Sequence, residues 1–198
     1  MTRMLCIALL SIGFSIANAA DMRVFGFEFG KPIRLPECQL QPNLDEGQKI
    51  YLYAQEATCL EVRPRNIDDR TSWTWLRFSE ADWPQTTLDA PMMTIIQSDA
   101  GALLGVRFQT SGVQYQDAIY DGLRAKYGKP TQFAKFRAQN AFGAASTVIH
   151  AKWSLPGLRV VFDGADTTFD SGTVTIDTPE AEKARVKWEL ERNKGKSL

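Results

Sequence analysis

The chain has 198 residues, with 23 basic side chains against 23 acidic ones, a single histidine and no net charge at neutral pH. That balance argues against a nucleic-acid-binding stripe and against bulk electrostatic attachment to an anionic membrane. The length suits one domain of ordinary size, or two small ones, with enough apolar side chains to bury a core without a structural metal.

The first residues read as a secretory signal. Arg3 supplies a positive start, residues 4–15 are apolar, and Ala17, Ala19 and Ala20 end the segment in small side chains. The A-x-A spacing places a cut after Ala19, with Ala20 the near alternative; the apolar stretch is short for a membrane span. Residues 20–198 are then expected as one exported α+β domain, or as two small lobes meeting near residue 90. The setting is periplasmic, with extracellular secretion as the alternative, and no later segment is apolar enough to form a transmembrane helix. Loss of the leader removes Cys6 and leaves Cys38 and Cys59. In an oxidising compartment they are expected to pair, and closing a loop of ~20 residues is worth ~3 kcal/mol by chain entropy. Two separate buried thiols are the alternative.

Along the chain, residues 23–29 (RVFGFEF) suggest a first strand, followed by a proline-rich loop through Pro32, Pro36 and Pro42. Short strands are expected at 49–54 and 58–64. TSWTWLRF predicts a strand with Trp73, Trp75 and Arg77 on one side and Thr74, Leu76 and Phe78 on the other. Two more strands follow at 92–97 and 102–110, around the turn residues Asp99 and Gly101. The 3- and 4-residue spacing of Ala118, Ile119, Leu123 and Tyr127 predicts a helix over 113–127, with Ser111 and Gln114 as a capping box and Gly128 and Pro130 as its stop. Residues 131–145 fit either a helical turn or a loop. Strands are expected at 147–153, 158–162 and 173–176. A last helix begins at Pro179 with Thr178 as its cap, carrying Val186 and Leu190 one turn apart and Trp188 as a docking residue. Together these predict a mainly antiparallel sheet with one long helix and a C-terminal helix packed on one face. A parallel sheet would need repeated crossover helices.

Strong catalytic motifs are missing: there is no P-loop, no dinucleotide fingerprint and no nucleophile elbow. His150 has no evident partner in the sequence. No cofactor is expected. Asp163, Asp166 and Asp170 form an oxygen-rich run that fits turn chemistry better than calcium, whose loop spacing they do not reproduce. The most suggestive binding material is Arg63, Arg65, Arg70, Trp73, Trp75 and Arg77, because arginine beside indole makes cation–π contacts and interface anchors. Alternatively, the same tryptophans close the core and the arginines solvate its rim. A second aromatic group, Tyr115, Tyr120, Tyr127, Phe133 and Phe136, has helical spacing that favours packing.

FGFEFGKPIRLPEC, TSGVQYQDAIYDGLRAKYGKPT and VTIDTP resemble segments of a family of small exported proteins of Gram-negative bacteria. The resemblance covers much of the mature chain and implies a periplasmic setting and a shared α+β fold, without an activity. The expected role is non-enzymatic: binding of a periplasmic or envelope protein, or of a small ligand or glycan, as an inhibitor or assembly accessory. The alternatives are a hydrolase acting on an envelope component and a purely structural protein.

Overall fold

The computed structural model describes residues 22–42, 49–51, 55–61, 65–68, 70–85, 88–139 and 143–194. The expected leader and Arg63 lie outside the described residues. The fold is α+β, as the sequence predicts, and every pair of named strands is antiparallel.

A short hairpin comes first, β1 (Arg23–Val24) and β2 (Phe27–Glu28), so the strand expected over 23–29 is in fact broken by a turn. Phe25 and Gly26 both take positive φ, 47° and 84°. Gly26 does so freely, whereas a side chain such as Phe25 pays roughly 1–2 kcal/mol for a left-handed backbone. The Phe25 ring offsets this by packing edge-on against Phe78 and Phe108, at 5.7 and 5.2 Å. A second ribbon pairs β3 (Leu40–Pro42) with β4 (Lys49–Tyr51).

The main sheet contains β5 (Cys59–Leu60), β6 (Arg65–Asn66), β7 (Thr71–Arg77), β8 (Met92–Ser98), β9 (Leu103–Thr110), β10 (Gln132–Gln139), β11 (Ala145–Leu155), β12 (Leu158–Asp163) and β13 (Gly172–Asp177). Its order is β10-β11-β12-β13-β9-β8-β7-β5, with β6 also on β7. Two meanders therefore meet where β13 pairs with β9. The strands on either side of residue 90, β7 and β8, are direct neighbours in this continuous sheet. Strand β10 occupies the segment that the sequence left between a turn and a loop. Its side chains are mostly exposed because it is a sheet edge, and an edge strand lacks the half-buried alternation that identifies inner strands.

Alternation elsewhere is clear. Ile149, Ala151, Trp153, Val160, Phe162, Val174 and Ile176 enter one core with Leu76, Ile95, Val106 and Phe108. Helix α1 (Gln116–Tyr127) covers this face through Ile119 and Tyr127. Tyr120 joins it by packing on Phe133 and Trp153, at 5.0 and 6.2 Å. Tyr115, Phe133 and Phe136 of the same aromatic group remain exposed. The helix begins later than predicted, after a short 3₁₀ turn at Gly112–Gln114, and Ser111 makes no cap bond. Its hydroxyl donates to Asp89 instead. Gln116 is buried and acts as a strand surrogate: its Nε2 donates to Thr147 O at 2.7 Å, and Ile149 N–H donates to its Oε1 at 2.8 Å.

Helix α2 (Pro179–Lys194) lies on the opposite face, over Ile96 and Leu104, with Ala181 and Ala184 buried beneath it. Adjacent residues Ile95 and Ile96 thus serve different cores. The expected sheet and helices are present, and the helices divide between its faces rather than sharing one. Thr178 caps α2 as predicted, its Oγ1 accepting from Ala181 N–H at 3.3 Å. Val186 and Leu190, by contrast, are exposed, because the helix docks through its alanines. That close approach requires Gly105: a methyl group there would sit 2.4 Å from Asp177 Oδ1 and 2.9 Å from Ala181 Cβ.

Cys38 and Cys59 form the disulfide, with Cα atoms 4.9 Å apart. It is reinforced by Cys38 N–H to Leu60 O and Leu60 N–H to Pro36 O, both 2.9 Å, so the proline-rich loop is fastened onto β5. No helix among the described residues is long and apolar enough to cross a membrane.

Candidate functional site

Antiparallel register decides which face each tryptophan takes. Trp73 stands opposite Ile96, and Trp75 opposite Thr94, which in turn stands opposite Arg107. These residues belong to the α2 face, while Leu76 and Phe78 are buried in the α1 core. Trp73 and Trp75 are half-buried, so they neither vanish into the core nor stand free. Trp188 comes down from α2 to meet Trp73 edge-on at 6.5 Å, and Trp73 meets Trp75 at 6.1 Å. Three of the chain's five tryptophans therefore gather on one surface.

They wall a cavity of about 190 Å³ with Ile67 and Ile96 as its apolar floor and Thr94, Arg107 and Arg185 as polar lining. A second hollow of about 380 Å³ continues past Trp75, Thr94 and Arg107 to Met92 and Gln109. Arg107 stands where the two meet. It reaches Asp166 at 3.7 Å with both side chains partly exposed, a separation and exposure that make a weak bond. Arg185 is committed: its guanidinium takes Asp177 by two hydrogen bonds of 2.8 and 2.9 Å, satisfying a buried carboxylate and holding α2 in place.

The predicted basic residues have different roles. Arg65 lies over the Trp73 ring at 5.0 Å, a cation–π contact at the rim. Arg77 is tied to Glu61 through Nε and Nη2, at 2.9 and 2.7 Å, and serves the sheet rather than a ligand. Arg70 is exposed on the far flank of α2, where it lines a separate hollow of about 580 Å³ with Lys183, Val186, Lys187 and Leu190. The site is thus built from Arg65, Trp73 and Trp75, and Arg70 and Arg77 are not part of it. Trp188, read from the sequence as a docking residue of the last helix, completes it together with Arg107 and Thr94, which the sequence does not single out, because only strand register and helix docking bring them there.

The three aspartates do not converge on a cation. Asp163 accepts from, or donates to, His150 Nδ1 at 2.5 Å; Asp166 accepts from the Thr173 hydroxyl at 3.2 Å; Asp170 is exposed in the turn. Among the described residues, no group of three His, Cys, Asp or Glu side chains could hold a metal ion. His150 does have a partner after all. The two residues face each other across β11 and β12, and no residue spacing announces that pairing.

Two carboxylates are held below the ordinary range by hydroxyls. Thr71 donates to Asp68, which also accepts from the Arg70 and Thr71 N–H groups. Thr58 and Ser79 donate to Asp82 at 2.7 and 2.8 Å. Both stabilise turns: Asp68 opens β7, and Asp82 ties the turn after β7 to the residue beside Cys59.

Comparison with protein-family models, curated proteins and solved structures found no match for the chain.

Proposed function

We propose that the protein is an exported, non-enzymatic binding domain of the periplasm, and that Trp73, Trp75, Trp188 and Arg107 form its contact surface. The observation that carries this reading is the placement of three half-buried indoles around one cleft lined by a partly exposed guanidinium, that of Arg107. Tryptophan and arginine dominate binding hot spots because they combine large contact area with directional polar groups. A partner that presents an apolar side chain or sugar face next to an acidic group complements both halves of the cleft. Inhibition or assembly of an envelope protein is the role in keeping with such a surface.

The test is in-cell crosslinking and affinity capture of the tagged, exported protein. Saturable capture of one envelope protein is expected, with Trp75→Ala weakening it at least ~30-fold, as loss of a hot spot of about 2 kcal/mol does. Near-ultraviolet circular dichroism checks that the variant remains folded. Unchanged capture by folded Trp75→Ala and Arg107→Ala excludes this surface.

A hydrolase is the second reading, and the His150–Asp163 pair favours it, since a carboxylate on Nδ1 orients an imidazole for general-base work. It predicts an activity on envelope material that His150→Ala abolishes.

A further inference from the structure

On the α1 face, away from the tryptophans, a cavity of about 420 Å³ opens between α1, the N-terminal hairpin and the sheet. That volume falls in the usual range for small-molecule sites, roughly 300–1,000 Å³. Its floor is apolar and buried: Phe108, Val174 and Ile176. One wall is the α1 stripe of Ala118, Gly122 and Lys126, and the other is Phe25.

One feature of these walls lowers the stability of the fold without serving its packing. Gly122 sits mid-helix, where glycine is the least favourable residue after proline. Close packing does not require it, since a methyl group there would meet nothing within 4 Å. Opposite, Phe25 stands in the two-residue turn between β1 and β2, which sets its left-handed backbone, and its ring meets Phe108 edge-on. At the mouth, the Lys126 ammonium lies over the Tyr127 ring at 5.4 Å and donates to the Arg23 carbonyl, which fixes a cation at the edge of an apolar hollow.

We propose that this cavity binds a single-chain amphiphile with an anionic head group. The alkyl chain lies along Gly122 against Phe108 and Ile176, beside the Phe25 ring, and the head group pairs with Lys126. The charge at the rim selects an anionic head over a cationic one, and the apolar floor selects an alkyl chain over a sugar or peptide.

The experiment is calorimetric titration of the mature protein with monomeric dodecanoate. One saturable site per chain is expected. Gly122→Leu fills the cavity and weakens binding at least tenfold while the thermal midpoint holds or rises; if that variant is destabilised, Ala118→Leu, one turn away, gives the same reading. Lys126→Glu weakens dodecanoate more than dodecanol, and Trp75→Ala changes neither. Absence of saturable binding to the unmodified protein, binding unaffected by filling the cavity, or equal affinity for dodecyltrimethylammonium overturns the proposal.

Discussion

Gly105→Ala isolates the contact on which the tryptophan cleft depends. The added methyl group would lie 2.9 Å from Ala181 Cβ, which belongs to the helix backbone's nearest layer and cannot swing away. It would also lie 2.4 Å from Asp177 Oδ1, which is buried and held by two hydrogen bonds from Arg185. Either α2 lifts from the sheet or the carboxylate leaves its partner. Overpacking of this kind costs about 1–3 kcal/mol, and weakening a buried ion pair adds to it. In a chain of this length each kcal/mol lowers the thermal midpoint by about 2–4 °C. Urea unfolding measures the loss, and a lower midpoint at an unchanged denaturant slope marks a change in stability rather than in the surface exposed on unfolding. Since α2 carries Trp188 to Trp73, indole fluorescence should shift in the folded variant as well. Gly122→Ala is the control of opposite sign: it meets open space and should stabilise by about 0.5–1 kcal/mol. A Gly105→Ala protein as stable as the parent, with α2 still docked, would refute this account of the packing.

Non-reducing peptide mapping should recover the Cys38–Cys59 link, and Cys38→Ser with Cys59→Ser should cost about 2–4 kcal/mol in urea unfolding; two free thiols in the parent would contradict it. Gln116→Ala should cost about 1–3 kcal/mol because it leaves Ile149 N–H and Thr147 O without their amide partner, and hydrogen exchange at Ile149 should quicken. Asp82 is held below the ordinary carboxylate range by the Thr58 and Ser79 hydroxyls, so its contribution is present above its unfolded value and fades as pH falls through the folded one. Asp82→Asn should therefore flatten the acid side of the stability profile, and an acid limb identical to the parent's would count against the Thr58 and Ser79 bonds.

Much of the fold is legible because inner strands and helices carry periodic signals. TSWTWLRF alternates cleanly, and its two faces are assigned correctly: Leu76 and Phe78 buried in one core, Trp73 and Trp75 on the other side. Thr178 and Pro179 mark the start of α2. Strand β10 is hidden because an exposed edge has no apolar face to repeat. The spacing of Val186 and Leu190 suggests a docking stripe, yet α2 packs through Ala181 and Ala184, since a helix lying over Gly105 needs small side chains at the contact. In the basic–aromatic group, the sequence identifies the indoles but cannot separate Arg65, on a ring, from Arg77, on Glu61.

By itself the sequence determined the α+β class, the faces of β7, the candidate disulfide and the start of α2. Each follows from local periodicity, from a cap, or from having two cysteines left to pair. Only the tertiary structure decided that β13 joins β9, that the helices take opposite faces, and that Trp188 and Arg107 stand beside Trp73 and Trp75. These are long-range pairings. They depend on how strands distant in sequence register against one another, and on which side chains are small enough to let a helix approach, and neither is encoded within any one segment of the chain.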